Sequence, residues 1–297
     1  MSYKIAIASG KGGTGKTTVA VSIYQLLAQN FNGRIQLVDC DVEEPNDSIF
    51  FPEAIVTNEV TIKQDIPKIE IEPCTFCRKC ADYCEFNAIV VLPSAQFAEV
   101  NASLCHSCGA CLVACDSNAI TQTQQAIGKV TRYSTTTGEG IVEGKLKVGS
   151  AMQTMLIKQL KKSVDDQQDI VIYDAPPGTS CSVVETTVDA DFVLLVTEPT
   201  PFGLHDLKLT VELMKALDKD FGVIVNKAGL GDHKVYQFLK DNHIELVGEI
   251  PFVSSFASSY ARGNLTMGMP HDVESSLNCI TDKILERITN NEGDNHT

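Results

Sequence analysis

The stretch that decides the fold is GKGGTGKT, residues 10–17, because it fits the pattern G-x-x-x-x-G-K-[ST] of a phosphate-binding loop. An apolar run at 4–8 precedes it and a helical pattern at 17–29 follows it, which is the strand–loop–helix context that such a loop requires. Glycines let backbone N–H groups surround phosphate oxygens, and the helix N-terminus adds partial positive charge. The stretch therefore predicts a site for a nucleoside triphosphate.

Within this loop, Lys16 is expected to bridge the β- and γ-phosphates of ATP, and the Thr17 hydroxyl is expected to bind Mg²⁺. The residues expected to contact the nucleotide are Gly10, Lys11, Gly12, Gly13, Thr14, Gly15, Lys16, Thr17 and Thr18.

Outward from the loop, short apolar runs alternate with helical patterns. A second strand at 35–38 ends at Asp39, and this strand–loop–helix–strand order starts an α/β domain with a mostly parallel sheet and helices on both faces. Further strands are predicted at 170–173, 192–196, 222–225 and 246–248, and helices near 150–162, 204–218, 233–241 and 274–289.

The alternation is interrupted by an internal repeat. CTFCRKCADYCEFNAI (74–89) and CHSCGACLVACDSNAI (105–120) match at an offset of 31, cysteine for cysteine. Such a duplication implies a small pseudo-symmetric unit inserted into the α/β core. We therefore expect a core of residues 1–57 and 121–297 and an inserted α+β domain of residues 58–120.

The cysteines of this repeat predict metal clusters. Eleven cysteines, an odd number, favour metal binding over disulfides in a reducing compartment. Each half carries C-x₂-C-x₂-C-x₃-C, the bacterial ferredoxin spacing, in which the fourth cysteine binds the cluster of the other half. Zinc is the competing interpretation, although zinc sites typically use pairs of C-x₂-C. Two [4Fe–4S] clusters are thus predicted, one on Cys74, Cys77, Cys80 and Cys115, the other on Cys105, Cys108, Cys111 and Cys84.

The run KGGTGKT resembles the deviant Walker A motif of the Min/ParA family, which includes the nitrogenase iron protein. The resemblance implies that Lys11 reaches phosphate in a partner subunit, and hence a homodimer; a solvated lysine on a flexible loop is the alternative. It implies that Asp39 helps to hold Mg²⁺ through water and that Asp41 orients or activates the attacking water. Lys11, Lys16 and Asp41 are therefore the candidate catalytic residues.

Two further segments resemble the same family. IVIYDAPPG, residues 170–178, is similar to its Walker B and switch II segment, which implies that Asp174 binds Mg²⁺ indirectly and that Gly178 offers its N–H near the γ-phosphate. Asn226, in VNKAG, matches the family's base-contacting asparagine, with a simple turn as the alternative.

Three cysteines lie outside the repeat. Cys181 follows Asp174 by seven residues, as a cluster-binding cysteine does in the nitrogenase iron protein, so a thiol at the dimer interface competes with an inert buried one. Cys40 and Cys279 are expected in the core.

The composition of the chain indicates which classes of partner it can bind and in which compartment it is expected. A formal net charge of −14 argues against nucleic acid and anionic membranes, which attract basic surfaces. No apolar run approaches 18 residues, and a strand begins within a few residues of Met1. We therefore expect a cytoplasmic protein.

Combining an ATP switch with two clusters predicts that ATP binding and hydrolysis in a dimer gate electron transfer to a redox partner protein. The alternative is an iron–sulfur cluster assembly or carrier ATPase, although such carriers typically present a C-x₂-C pair late in the core and none follows residue 115. A positioning or partitioning ATPase is less favoured, because the last predicted helix carries few cations.

Overall fold

The computed structural model describes residues 2–136, 138–165, 167–265 and 269–294, without the side chains of 138, 139 and 292–294. The chain forms two compact units. The core unit comprises Met1–Glu59, Thr131–Lys145 and Ile157–Thr297, and the insert unit comprises Val60–Val130 and Leu146–Leu156. The insert unit thus extends ten residues beyond the expected boundary at 120, because a strand that starts there continues to Thr135.

The described residues form strands β1 to β11 and helices α1 to α9. The strands are β1 Tyr3–Ala8, β2 Ile35–Asp39, β3 Ile55–Ile69, β4 Ile89–Leu92, β5 Phe97–Val100, β6 Ile120–Thr135, β7 Gly138–Leu146, β8 Ile170–Asp174, β9 Phe192–Thr197, β10 Phe221–Ala228 and β11 Leu246–Pro251. The helices are α1 Lys16–Asn30, α2 Lys79–Asp82, α3 Ala110–Val113, α4 Gln153–Lys162, α5 Cys181–Thr187, α6 Pro201–Ala216, α7 Lys234–Asp241, α8 Ser254–Ala261 and α9 His271–Asp294.

The main sheet has the strand order β11-β10-β9-β1-β8-β2-β7-β6-β3. From β11 to β7 every neighbouring pair is parallel, which confirms the mostly parallel α/β sheet. The strands β1, β2, β8 and β9 are buried almost throughout, as expected for parallel strands covered on both faces. Their carboxyl ends bring distant parts of the sequence to one edge of the sheet.

Most predicted elements are present, and the missed ones have two causes. The predicted strands correspond to β8, β9, β10 and β11, and the predicted helices to α4, α6, α7 and α9. The sequence interpretation missed the long strands β3, β6 and β7, because polar residues interrupt their apolar signal, as TQTQQ does at 121–125. It also missed α5 and α8, which are only seven and eight residues long.

The last helix, α9, packs against the buried apolar cluster of the core unit. Leu277, Ile280, Ile284 and Ile288 belong to the same buried cluster as the strand residues of the sheet. Their spacing is the apolar stripe of a helix that covers a sheet. No helix in the described part of the chain is both long and apolar enough to cross a bilayer.

The insert unit repeats its backbone as well as its sequence. The helices α2 and α3 are single turns at the same offset of 31, and β4 and β5 form an antiparallel pair. Left-handed backbone recurs at the same offset in three pairs, Phe76 and Ser107, Arg78 and Gly109, and Asn87 and Asn118. Five of these six residues have a Cβ, for which positive φ is uncommon. The cysteine loops therefore share one fixed conformation.

Candidate functional site

The glycine loop lies between β1 and α1, where the sequence placed it. Gly13 and Gly15 have φ of 80° and 89°, which glycine adopts without strain. A Cβ on Gly15 would lie 2.2 Å from Nδ2 of Asn226, so the loop and β10 approach too closely for a side chain. Thr14 Oγ1 is buried and has no hydrogen-bond partner among the described residues, so a polar atom of the loop remains free for a ligand.

Lys16 and Thr17, at the start of α1, both contact the carboxylate of Asp174 at the end of β8. Lys16 Nζ lies 2.8 Å from Asp174 Oδ1, and Thr17 Oγ1 donates to Oδ2 at 2.7 Å. Burial alone lowers the pKa of Lys16, but the carboxylates of Asp174, Asp39 and Asp47 raise it above its ordinary value. The structure therefore brings together three of the predicted site residues and keeps the lysine charged.

Asp39 ends β2 beside Asp174, and Asp41 follows two residues later. Asp39 is 1% exposed and accepts hydrogen bonds from the backbone N–H groups of Asp41, Asn46 and Asp47 at 3.0, 2.7 and 3.0 Å. Burial, and then the charge of Asp174, raise the pKa of Asp39 to about 8. Burial also raises the pKa of the partly exposed Asp41. These carboxyl groups therefore favour an added cation or proton.

Asp47 is a site residue that the sequence interpretation missed. Ligand atoms of its carboxylate and of Asp39 and Asp174 all lie within 4.8 Å of one another, and all three residues are buried. Asp47 opens a short 3₁₀ turn, Asp47–Phe50, eight residues after Asp39. It belongs to no recognised motif, so only the tertiary fold could reveal it.

Lys11 is paired within its own chain. Its Nζ donates to Glu198 Oε1 at 2.6 Å and lies 6.0 Å from the ring centre of Phe202. Lys227 Nζ donates to Glu198 Oε2 at 3.0 Å and to the Gly13 carbonyl at 2.8 Å. Burial alone raises the pKa of Glu198, but hydrogen bonds from the two lysines hold it below its ordinary value. Neither Glu198 nor Lys227 was predicted, because each acts through residues distant in sequence.

Asn226 lines a cavity of about 250 Å³ beside the loop. Its Nδ2 donates to the Thr14 carbonyl at 2.7 Å, so it also fixes the loop. The cavity lining combines loop residues with apolar residues of the β11–α8 region, namely Gly13, Gly15, Thr18, Asn226, Lys227, Pro251, Phe252, Val253, Phe256, Ala257 and Tyr260. An apolar cavity next to a phosphate loop suits a nucleobase.

Gly178, after β8, has φ 98°, and its N–H donates to the Ser9 carbonyl at 2.9 Å. The predicted contact of this N–H with a γ-phosphate would require that bond to open.

All eleven cysteines are free thiols. Cys84 joins Cys105, Cys108 and Cys111 around one pocket of the insert unit. The rings of Phe86 and His106 stack at this pocket with centroids 3.8 Å apart.

Burial raises the pKa of the Cys80 thiol, and the nearby thiols of Cys115, Cys74 and Cys77 raise it further. Cys84 therefore lines a pocket with the first three cysteines of the second half, and the charge of Cys115 acts on Cys80 of the first half.

Backbone N–H groups donate to the sulfurs at equivalent places in the two halves. Ala88 N donates to Cys84 Sγ and Ala119 N to Cys115 Sγ, both at 3.3 Å. Such donors stabilise a thiolate or a metal-bound sulfur. Burial raises the pKa of Cys105 and Cys111 as well, so a cation is needed to hold these sulfurs deprotonated.

The remaining cysteines differ from one another. Cys40 is buried, as predicted. Cys279 is exposed, so its predicted core position is wrong: Leu277 and Ile280 occupy the apolar stripe of α9 and Cys279 lies beside it. Cys181 begins α5 and is also exposed, which removes the alternative of a buried, inert thiol.

A glycine loop between β1 and α1, with carboxylates at the ends of the adjacent strands β2 and β8, defines the class of P-loop nucleotide-binding domains on a parallel sheet. The chain belongs to the CobQ/CobB/MinD/ParA nucleotide binding domain family, whose model matches residues 5–267, and is a P-loop ATPase of the MinD/ParA type.

Relatives and solved structures agree with this assignment. An uncharacterized protein of Methanocaldococcus jannaschii is 32% identical over 264 residues, which cover 87% of this chain and 89% of that protein. An iron-sulfur cluster carrier protein of Pyrococcus abyssi is 27% identical over 228 residues, or 75% of this chain and 60% of the carrier. The septum site-determining protein MinD of Pyrococcus horikoshii, complexed with Mg-ADP, has a similar fold, with a TM-score of 0.58, 18% identity and 96% of both chains covered.

Proposed function

We propose that this protein is an ATPase whose nucleotide state gates electron transfer through two [4Fe–4S] clusters in its insert unit. The observations that support the proposal point to an exchange of the fourth cysteine between the two halves of the repeat. Cys84 lies at a pocket with three cysteines of the second half, and Cys115 influences the thiol of Cys80 in the first. This exchange is the ligand pattern of ferredoxins with two clusters.

The residues of the core unit fit ATP and Mg²⁺. Lys16 would neutralise phosphate charge, and Thr17 with Asp39 would hold Mg²⁺, whose chemistry is to stabilise charge that develops on the phosphates. Asp174 already accepts hydrogen bonds from Lys16 and Thr17, so it orients both groups. Asp41, partly exposed at the same edge, would orient the attacking water. Gly178 would contact the γ-phosphate, and Asn226 would contact the base from the adjacent cavity.

The residues of the insert unit fit two iron–sulfur clusters. Eight free thiols, N–H donors at Cys84 and Cys115, and a repeated backbone conformation match the donor set that such clusters use. When bound, the clusters supply one-electron transfer. The four ligands of one cluster would be Cys74, Cys77, Cys80 and Cys115, and those of the other Cys105, Cys108, Cys111 and Cys84.

We further propose a cytoplasmic homodimer in which Lys11 leaves Glu198 and contacts the nucleotide of the partner. Lys11 is 30% exposed at its side chain, and its ion pair with Glu198 is a partly solvated contact of modest strength. Phosphate is a stronger attractor than one carboxylate, because it carries more charge. A redox partner protein completes the proposal; the net charge of −14 favours neither nucleic acid nor a membrane.

The test has two stages. Anaerobically purified protein should contain about eight iron and eight sulfide per chain. The midpoint potential of each cluster is then measured with ADP and with a non-hydrolysable ATP analogue, where about 59 mV corresponds to a tenfold change in a one-electron equilibrium. We expect the potentials or the reduction rates to depend on the nucleotide. Identical values in both states would reject gating and leave the insert as a docking or structural unit.

A second candidate is an iron–sulfur cluster assembly or carrier ATPase, because relatives from Pyrococcus abyssi and Pyrococcus horikoshii bear the name iron-sulfur cluster carrier protein. This chain covers 60% of each of those proteins. Incubation with an apo-ferredoxin in the presence of a chelator distinguishes the two functions. Chelator-resistant clusters that stay on the chain favour electron transfer, and clusters that move to the acceptor favour the carrier. A positioning ATPase is less favoured, because the likeness to MinD concerns the fold alone.

A further inference from the structure

Three carboxylates meet at the end of the sheet that faces the glycine loop. Asp39, Asp47 and Asp174 are 1%, 0% and 1% exposed, and one ligand atom from each lies within 4.8 Å of the others. Buried carboxylates at such distances repel one another strongly unless a cation or a proton lies between them.

Asp47 differs from its two neighbours in having no hydrogen-bond partner. Asp39 accepts three backbone N–H groups, and Asp174 accepts from Lys16 and Thr17. Both oxygens of Asp47 are buried without any partner among the described residues. A fully buried carboxylate without a donor calls for a ligand, because buried polar groups are otherwise nearly always satisfied.

Glu143 extends the group. Asp39 lies opposite Asp174 on one neighbouring strand and opposite Glu143 on the other, so the three residues form one row across β8, β2 and β7. Glu143 Oε2 is also buried without a partner among the described residues. The charge of Glu143, together with those of Asp39 and Asp174, acts on Asp47.

Around Asp39, Asp47 and Asp174, the described acidic side chains carry more charge than the basic ones. Lys16 is the cation that acts on both Asp39 and Asp47, and it is already paired with Asp174. Either protons or a cation must therefore balance the group, and oxygen ligands in this number suit a hard divalent cation.

We propose that Asp47 is a ligand of a divalent cation, Mg²⁺ in the cell, that this chain binds between Asp39, Asp47 and Asp174 before any nucleotide is present. The site differs from a magnesium site that depends on nucleotide phosphates, because all of its charged ligands come from the protein. The proposal needs neither the clusters nor the gating of electrons, so it stands or fails independently of the proposed function.

The first experiment measures Mn²⁺ binding to the full chain without nucleotide, by the EPR signal of free Mn²⁺. Wild type should hold one Mn²⁺ per chain tightly, with Mg²⁺ competing. Asp47→Asn keeps the shape of the side chain and the backbone N–H that bonds Asp39, and it should weaken this binding by about tenfold or more. Glu44→Gln, an exposed acid of the same loop, is the matched control and should bind as wild type does.

The second experiment separates a ligand from a structural carboxylate. Melting temperatures are compared in a chelator and in Mg²⁺, both without nucleotide. In the chelator, Asp47→Asn should melt at a higher temperature than wild type, because the substitution removes a repelling charge. Mg²⁺ should raise the melting temperature of Asp47→Asn by less than it raises that of wild type. A lower melting temperature of Asp47→Asn in the chelator, or equal Mn²⁺ affinities of Asp47→Asn and Glu44→Gln, would overturn the proposal. So would a wild-type chain that binds no Mn²⁺ without nucleotide.

Discussion

The core unit and the insert unit build their candidate sites in opposite ways. In the core unit the site residues are far apart in sequence, and parallel strands bring them to one edge, where they already pair with one another: Lys16 with Asp174, and Lys11 with Glu198. In the insert unit the eight cysteines lie within residues 74–115, and local backbone holds them. A hydrogen bond from the backbone of Lys79 lowers the pKa of Cys77, and the charge of Lys79 lowers it further.

The difference concerns what each unit needs in order to be stable. The core unit has a large apolar cluster that includes strand residues and α9. The insert unit has two small clusters, and Cys111 and Cys105 are among their buried members. The core unit can therefore be stable on its own apolar cluster, whereas the insert unit would depend on the proposed clusters for much of its stability.

The largest expected effect concerns the core unit alone. Lys16→Gln removes the charge that faces the phosphates and keeps a group that can donate to Asp174. ATP affinity should fall by about 100-fold or more, since the charge-assisted contact is lost. Isothermal titration calorimetry measures the affinity, with Lys234→Ala, an exposed lysine, as control. Iron content should not change; a parallel loss of iron would mean that the two units do not fold independently.

The next prediction concerns the proposed contact across a dimer. Lys11→Ala should reduce the rate of ATP hydrolysis by about 100-fold or more, as the loss of a charged group supplied in trans does elsewhere, while ATP affinity changes by less than about threefold. Steady-state hydrolysis and calorimetry give the two numbers. Hydrolysis at the wild-type rate would confine Lys11 to its ion pair with Glu198.

A third substitution tests the insert unit. Cys115→Ser should lower iron from about eight to about four per chain, and it should remove the same cluster signal as Cys74→Ser does. Iron and sulfide analysis with EPR of the reduced protein measures this, and ATP affinity should stay at the wild-type value. If Cys115→Ser instead matches Cys105→Ser, the fourth ligand is not exchanged between the halves.

A smaller effect is expected from pH on the core unit. The pKa of Asp39 is raised to about 8, and those of Asp41 and Asp47 are raised too. Between about pH 4 and pH 8 the folded chain therefore binds more protons than the unfolded chain, so the free energy of unfolding falls as pH rises.

Without Mg²⁺ or nucleotide, the melting temperature should accordingly decrease by several degrees from about pH 6 to about pH 8.5. Calorimetry of wild type and Asp47→Asn checks this, and the substituted chain should show a weaker dependence on pH. A melting temperature that rises over this range would contradict the assignment of buried, proton-binding carboxyls.

The smallest expected effect comes from substituting the cysteines outside the repeat, where an exposed and a buried thiol can be compared. Cys279 is exposed on α9, so Cys279→Ser should change the free energy of unfolding by less than about 0.5 kcal/mol and leave the iron content unchanged. Cys40→Ser replaces a fully buried thiol with a hydroxyl and should destabilise by about 1–3 kcal/mol. Chemical unfolding measures both, and equal losses would show that exposure does not distinguish these thiols.

The sequence predicted those parts of the molecule in which the function depends on local spacing. The glycine loop, the strand ends at Asp39 and Asp174 and the cysteine repeat are short patterns with a fixed geometry, and the structure places the nucleotide-site residues together as expected. Asn226, which the resemblance to the Min/ParA family indicated, directly follows a buried segment of β10, and its contact with a base stays a prediction.

The residues that the sequence did not predict act through tertiary contacts. Glu198 matters because it lies between Lys11 and Lys227, and Asp47 because the loop after β2 turns it back toward Asp174. Neither contact has a signature in the chain. Strand β7 was missed because its neighbours in sequence are polar, and Cys279 was misplaced because exposure on α9 depends on a rotation of about 100° per residue.

The pairing of β7 with β2 provides backbone amides whose hydrogen exchange can be measured. Strand β7 lies between the two segments of the insert unit, Val60–Val130 and Leu146–Leu156. Its residues Ile141, Val142 and Glu143 lie opposite Leu37, Val38 and Asp39. Amide hydrogens in such a ladder exchange with solvent only when the strands separate locally. Their exchange rates therefore measure how firmly the segment that carries Asp39 is held. Isotope exchange at residues 141–143 can thus follow the nucleotide state even in a chain that lacks the proposed clusters and partner and has no catalytic activity.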